Sequence, residues 1–244
     1  MNVTPIKTRV FQENEDLFSF ITNHIKAVSE KSVLVITSKI VALAEGRTSD
    51  DADKKTKEKL IRSESQWAMK TKHTWLTIRD GMVMASAGID ASNADGKLVL
   101  LPRDSFETAR DMRKKLQSHY GVKHLGVLIT DSRLYPLRAG IVGVALGYSG
   151  FKGIRDYRGT KDIFGRTMKL SQTDVADSLA TAAILVMGEG DEQQPLALIG
   201  NAPIEFVRRN PPRDELYIDP REDVYQPLFE KVKKIRFPKK HSQK

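Results

Sequence analysis

Three apolar segments of this chain each give out on an acidic residue, and that recurrence narrows what the chain can fold into. Ser86-Ala-Gly-Ile ends on Asp90, Leu125-Gly-Val-Leu-Ile-Thr on Asp131, and Ile184-Leu-Val-Met-Gly on Glu189. Small or polar residues follow each: Ala91-Ser92-Asn93, Ser132, and Gly190-Asp191-Glu192. A buried strand or helix is a rigid mount, so a carboxylate at its tip can face a cleft. Three such mounts converging would give an oxygen-rich site for a hard divalent cation, Mg²⁺ or Mn²⁺. A basic stretch punctuated by Gly159 and Gly165 lies between the second and third acids. Acids on rigid mounts beside a basic loop point to phosphate chemistry.

The intervening sequence supplies both strands and helices. Residues 32–37 are short and β-branched, as a buried strand should be, and run directly into Ser38-Lys39 and a short helix over 40–46. A strand feeding a helix start places free backbone N–H groups where an anion can bind. Helical spacing is present over 15–26, 105–120 (stopped by Gly121) and 173–187. Residues 50–71 read as one charged helix anchored by Trp67 and Met69, a possible excursion over 50–72. Asp80-Gly81 between 74–78 and 82–85 signals a hairpin. Further strands are expected at 97–101, 125–130, 141–147 and 195–199, with a terminal helix over 219–234. Neither a repeat nor a linker is evident, so 1–244 reads as a single domain with a mixed-sheet α/β or α+β fold.

Charge and composition exclude several functions. The formal charge is +9 over 244 residues, but seven of the 40 Lys and Arg lie within 231–244, where there is no acid. That leaves 33 basic against 31 acidic residues in the body, about +2, so the basicity is largely a tail. Neither a zinc-finger pattern nor an aromatic RNA-binding motif is present, and nucleic acid is not the expected partner. There are no cysteines, which removes thiol nucleophiles and zinc–thiolate sites and fits a reducing cytoplasm. No apolar run reaches the ~18 residues that span a bilayer. The N-terminus lacks a signal-peptide pattern, and a cytoplasmic location is the expectation.

Each candidate also has an ordinary reading. Asp90 and Asn93 could simply start turns, Asp131-Ser132 could cap a helix, and Glu189 could be a solvated residue after one. In the chemical reading, Asp90, Asp131 and Glu189 are catalytic carboxylates that bind metal with Ser132, while Asn93 contacts a nucleotide. Arg155, Arg158 and Lys161 could meet acidic substrate groups or merely line a surface loop. There is neither a GxxxxGK[ST] nor a GxGxxG motif, and the five histidines show no metal-ligand spacing.

Read in order, Ala44-Glu-Gly-Arg47, Ser86–Asn93, Leu128-Ile-Thr-Asp131, Arg138–Gly147, Lys161-Asp-Ile-Phe-Gly-Arg166, Val175-Ala-Asp177 and Leu185-Val-Met-Gly-Glu-Gly190 resemble the coenzyme F420-0:L-glutamate ligase family. The likeness runs from about residue 32 to residue 200. It implies a GTP-dependent γ-glutamyl ligase joining L-glutamate to an acceptor, an intertwined homodimer, and the mixed-sheet fold of that family. It also implies two divalent cations, with K⁺ admitted as a further ion. By position, Asp90, Asp131, Ser132 and Glu189 match its metal ligands. Ser38, Lys39, Asn93 and the stretch from Met187 through Gly188, Gly190 and Asp191 to Gln194 match nucleotide contacts, with 8–11 a looser match. Two departures stand out. Ala42-Leu43 replaces a serine–lysine pair, and Arg133-Leu134-Tyr135 replaces Asn/Phe-Gly-Arg. The acceptor therefore stays open between F420-0, a folate and another γ-carboxylate, and a nucleotide-binding protein without ligase activity is the other class.

Overall fold

The computed structural model describes residues 1–229. The chain opens with β1 (Asn2–Ile6), α1 (Leu17–His24), β2 (Ser32–Thr37) and α2 (Ser38–Ala44). Asp16 caps α1 by accepting from the Ser19 N–H, a favoured use of aspartate at a helix start. Next come β3 (Thr48–Ser49), α3 (Lys54–Ser63), β4 (Trp67–Lys70), β5 (Trp75–Arg79), β6 (Met82–Ala85) and β7 (Leu98–Val99). The remainder is α4 (Ser105–Tyr120), β8 (Leu125–Leu134), β9 (Ile141–Ser149), β10 (Ile154–Asp156), β11 (Gln172–Asp174), α5 (Val175–Met187), β12 (Leu196–Gly200) and α6 (Gln226–Phe229).

Because Val33-Leu-Val-Ile36 is apolar on both faces, β2 has to be covered twice. It lies at the middle of a five-stranded sheet of order β1-β12-β2-β8-β9. β2 and β8 run parallel, and the other neighbours are antiparallel. Leu34, Ile36, Val127 and Ile129 pack with α1, α2 and α4 on one face. Val33, Val35, Leu128 and Ala197 pack beneath α5 on the other. The result is a mixed-sheet α+β architecture. The segment from β3 to β7 has its own small core of Ile61, Trp75, Ala87, Ile89, Leu98 and Leu100.

Several boundaries differ from the sequence reading, and pairing explains them. The charged helix ends at Ser63, and residues 67–70 form a strand because β5 offers a paired edge, Trp67 opposite Ile78 through Lys70 opposite Trp75. Ile61, not Trp67 or Met69, anchors α3: Ile61 is buried, Trp67 half-buried and Met69 exposed. β8 does not stop at Thr130. It continues to Leu134 because β9 pairs with it as far as Ile141. Asp131 and Ser132 therefore sit within a strand rather than at a helix cap. The N-terminal strand β1 was not foreseen; it is held by β12. Of the expected terminal helix, only α6 is formed within 219–229, and the basic tail lies outside the described residues. Among those described, no helix is long and apolar enough to cross a membrane.

Candidate active site

Where β2 ends beside Thr130 of β8, four separate stretches of chain meet. Parallel strands create this place: their carboxyl ends leave a crevice, and the element after each strand starts there. β2 passes straight into α2, which puts Ser38 and Lys39 in the first turn of that helix. Ser38 Oγ donates to Asp131 Oδ1 at 3.3 Å. The Lys39 ammonium donates to Asp90 Oδ2 at 2.7 Å and to the Ser92 carbonyl at 2.6 Å. Ser132 Oγ hydrogen-bonds Glu189 Oε1, and Asn93 Nδ2 donates to the Gly190 carbonyl at 2.9 Å. Each contact begins next in sequence to the one before, apart from the one residue between Asp90 and Ser92. The contacts close a ring: Asp90, Lys39-Ser38, Asp131-Ser132, Glu189-Gly190, Asn93-Ser92.

Local structure aims each member. Side chains alternate along a strand, so Asp131 faces the α2 side and Ser132 the α5 side. Asp90 follows a single 3₁₀ turn (Ser86–Gly88) and bridges Val99 through both backbone groups. Its carboxylate also accepts from the Ser92 N–H at 2.9 Å, a local Asx arrangement that aspartate favours. Glu189 is delivered by α5, which lies close on β9. A Cβ at Gly143 would sit 2.3 Å from the Ala180 carbonyl oxygen, so only glycine lets the helix come that near. Asp177 accepts from the Ala145 N–H and Thr181 donates to the Gly143 carbonyl, both at 2.8 Å. Gly188 then ends the helix at φ 80° and turns Glu189 toward Ser132.

The electrostatics are uneven around the ring. Burial pushes the Asp131 carboxyl above its ordinary value, against the pull of Arg133, the Ser132 N–H and Ser38, and the Glu189 charge pushes it the same way. Burial also works against ionised Asp90, but Lys39 and Ser92 outweigh it and hold that carboxyl below its usual range. Arg133, two residues beyond Asp131 on the same strand face, is itself buried. Its Nη1 donates to the Val83 carbonyl at 3.3 Å, while Nε and Nη2 meet no acceptor among the described residues.

Carboxylate and hydroxyl oxygens are the donors that Mg²⁺ and Mn²⁺ take, and a desolvated acid that also feels the charge of a second is a place a cation would relieve. The donor chemistry at Asp131, Ser132 and Glu189 therefore fits a hard cation. The expected convergence of three carboxylates on one point is not met: among the described residues no three acids or histidines could hold one ion. Asp90 is drawn instead to the Lys39 ammonium.

The remaining expected residues divide. Gly190 donates its N–H to Glu192 Oε2 at 2.8 Å, and the Thr8 N–H reaches the Gln193 carbonyl at 2.9 Å, so the 187–194 loop and the N-terminal stretch do meet. In that loop Gln194 Oε1 is buried and meets no donor among the described residues. Asp191 is exposed at the loop's tip. The Met187 side chain is 2% exposed within the α5 core, since it lies on the helix face turned to the sheet. Arg155, Arg158 and Lys161 are brought to a different place. They belong to the arm of residues 154–174, rooted in β10 and β11 beyond the Ser149 end of β9, the end away from Ser132. Arg155 bonds the Pro203 carbonyl, Arg158 pairs with Asp156, and Lys161 donates to Thr167 at 2.7 Å. Ser92 is the ring member that sequence reasoning passed over; the Asp-x-Ser spacing was its only signal.

Comparison with known proteins gives the family. The profile of the family described as F420-0:Gamma-glutamyl ligase matches residues 5–201. A coenzyme F420:L-glutamate ligase of Methanopyrus kandleri is 41% identical over 152 residues, 61% of this chain and 60% of that protein. One from Methanothermobacter thermautotrophicus is 35% identical over 206 residues, 80% of this chain and 81% of its own length. One from Archaeoglobus fulgidus is 30% identical over 233 residues, 88% of this chain and 92% of its own. Against the Methanopyrus and Methanococcus maripaludis relatives the match spans only about three-fifths of their length, 60% and 58%.

Proposed function

Because the chain belongs to the F420-0:γ-glutamyl ligase family, we propose that it joins L-glutamate to an acceptor carboxylate at the expense of GTP, with F420-0 as the acceptor. The observation that carries this reading is the closed ring itself. Residues scattered from 38 to 190 meet where the parallel pairing of β2 and β8 ends, and they combine a cation, acids and hydroxyls.

An amide does not form from a carboxylate and an amine in water unless the carboxylate is activated. An oxygen of the acceptor carboxylate attacks the γ-phosphorus of GTP, and the bond from that phosphorus to the bridging oxygen breaks. GDP leaves and an acyl phosphate remains. The glutamate amine then attacks the acyl carbon, its proton is lost, and phosphate departs with the C–O electron pair. In this scheme Lys39, standing in the first turn of α2, binds triphosphate oxygens alongside the free N–H groups of that turn. Asn93 holds the Gly190 carbonyl and so fixes the loop over the nucleotide, where the unpartnered Gln194 Oε1 is available to a donor. Burial around Asp131 keeps water from the acyl phosphate. Asp131, Ser132 and Glu189, with Asp90 beside them, would hold Mg²⁺ or Mn²⁺. When bound, such ions offset charge on the triphosphate and on the transferring group.

A homodimer completes the proposal. Ile163 and Phe164 at the arm's tip, and Leu137 at the tip of the β8–β9 hairpin, are almost wholly exposed. Apolar residues held out on projecting segments suit contact with another protein, here a second copy. An arm that leaves its own ring behind can offer Arg155, Arg158 and Lys161 to acidic substrate groups at the partner's site.

The test is mass spectrometry of products after incubation with nucleotide, Mg²⁺ or Mn²⁺, glutamate, and either F420-0 or a folate. A mass gain of one glutamate on F420-0, with GDP formed, is expected. Addition only to folate would move the acceptor, and no addition with nucleotide still bound would leave a binding protein.

A further inference from the structure

At the end of the molecule away from the ring, cations collect without acids. Arg110, Arg113 and Lys114 on α4, Lys123 in the turn that follows, and Arg208 in the segment after β12 line a cavity of about 370 Å³. Gln117 and Asn210 complete its wall, and no acidic residue does. Outside the tail the chain is nearly neutral, 33 basic against 31 acidic residues, so five cations around one cavity are a local excess rather than a reflection of composition.

The cavity is built, not incidental. Arg113 is 8% exposed and spends its donors on the backbone: Nε to the Leu125 carbonyl at 2.8 Å, Nη2 to Val207 at 2.9 Å, Nη1 to Arg208 at 3.3 Å. Nη1 also reaches Asn210 Oδ1 at 3.3 Å, which accepts from Ser149 Oγ at 2.7 Å. These bonds fasten the 207–210 segment against α4 and keep Arg208 in the cavity wall. At the rim Arg110 is occupied by Glu107 at 3.2 Å and Asp111 at 3.3 Å. Glu30 accepts from the backbone N–H groups of Lys123 and His124 and pairs with the His124 ring. Lys114, Lys123 and Arg208 form no ion pair among the described residues. Three like charges facing one space repel one another unless an anion sits between them.

We propose that this cavity binds a compact polyphosphate anion at a second site, separate from the ring. Its volume is that of a small-molecule pocket, and the charges come from three segments around a concavity. A nucleic-acid backbone would instead be followed by an open stripe. The site is separate because Leu125, whose carbonyl accepts from the lining Arg113, starts β8 and Asp131 lies six residues on, ~20 Å away at ~3.3 Å per residue. The inference does not depend on the ligase reading.

Inorganic tripolyphosphate is the probe, titrated calorimetrically into the full chain in EDTA at low salt. Without divalent cations the acidic ring repels it, and the triple variant, which keeps the seven cations of 231–244, reads out any binding by the tail. One equivalent is expected to bind, with affinity reduced at least tenfold in a Lys114→Ala/Lys123→Ala/Arg208→Ala variant and unchanged in Asp131→Asn. Equal binding by the triple variant and the parent, or no binding by the parent, overturns the proposal. So does binding confined to polyuridylate with a steep salt dependence, which would give the surface to a polymer.

Discussion

In the ring, Lys39 meets Asp90 across 51 residues of sequence, Ser132 meets Glu189 across 57, and Asn93 meets Gly190 across 97. In the arm, Arg158 meets Asp156 two residues away, and Lys161 meets Thr167 six away. Both regions are rich in charge, and both looked chemical in the sequence. The difference is that Arg158 and Lys161 find their partners by local chain geometry, which any solvated turn provides, with Arg155 on the Pro203 carbonyl the arm's one distant contact. The ring's partners are imposed by the packing of both layers on the sheet, and that packing has no reason to gather acids, amines and hydroxyls unless a ligand is to be met there.

The comparison breaks most sharply at Asp131. Asp131→Asn keeps the shape and removes the charge, so turnover should fall ~10³-fold or more, as loss of a ligand at a phosphoryl-transfer site does. Substantial turnover by a variant with parental circular dichroism would separate this residue from the chemistry. Next in size, Lys39→Met should raise the KM for nucleotide ~10–100-fold, an ammonium–phosphate contact being worth a few kcal/mol. A fall in kcat at unchanged KM would place Lys39 elsewhere in the cycle. Gly143→Ala asks whether the delivery of Glu189 depends on close approach. Overpacking α5 against β9 should cost ~1–3 kcal/mol in chemical denaturation and lower turnover with it.

A smaller effect concerns the root of α5. Burial raises the Asp174 carboxyl to about 6, with the Asp177 charge adding to it, whereas an unfolded aspartate titrates near ~3.9. The folded state thus holds that proton more tightly. The pair costs stability above pH ~6, and the cost disappears as pH falls toward ~4. Asp174→Asn keeps a capping side chain and should be more stable than the parent by ~1–2 kcal/mol at pH 8, the two melting curves converging by pH 4. Smallest of all, Arg158→Ala should change the melting temperature by less than ~1 °C, because solvent screens an exposed ion pair. If the arm serves a partner's site, Arg155→Ala/Arg158→Ala/Lys161→Ala should raise the acceptor KM several-fold; unchanged kinetics would reduce the arm's cations to solvated surface.

Much of the ring was legible because its acids end apolar runs, and such runs must be buried. Asp90, Asp131 and Glu189 were found that way, and Lys39 by a strand running into a helix. What escaped depends on distant pairing. The extent of β8 beyond Thr130 is decided by β9, and β4 forms from charged, helix-like sequence because the β5 edge lies beside it. Asn2–Ile6 carries threonine and proline and becomes a strand only against β12. That Lys39 would take Asp90, leaving no trio of acids around one point, could not be read from residue types, since spacing does not say which cation arrives first. Met187 adds that a residue inside a motif can spend its side chain on the core.

Asp131 and Ser132 are neighbours on one strand, yet they look out on opposite sides of the sheet. The working circuit is consequently an all-or-none report on assembly. A fragment that ends before Glu189, or a partly folded state with only one helical layer docked, holds half the circuit and can perform no part of its task. Activity regained during refolding should therefore lag any spectroscopic sign of the sheet and keep step with the docking of α5.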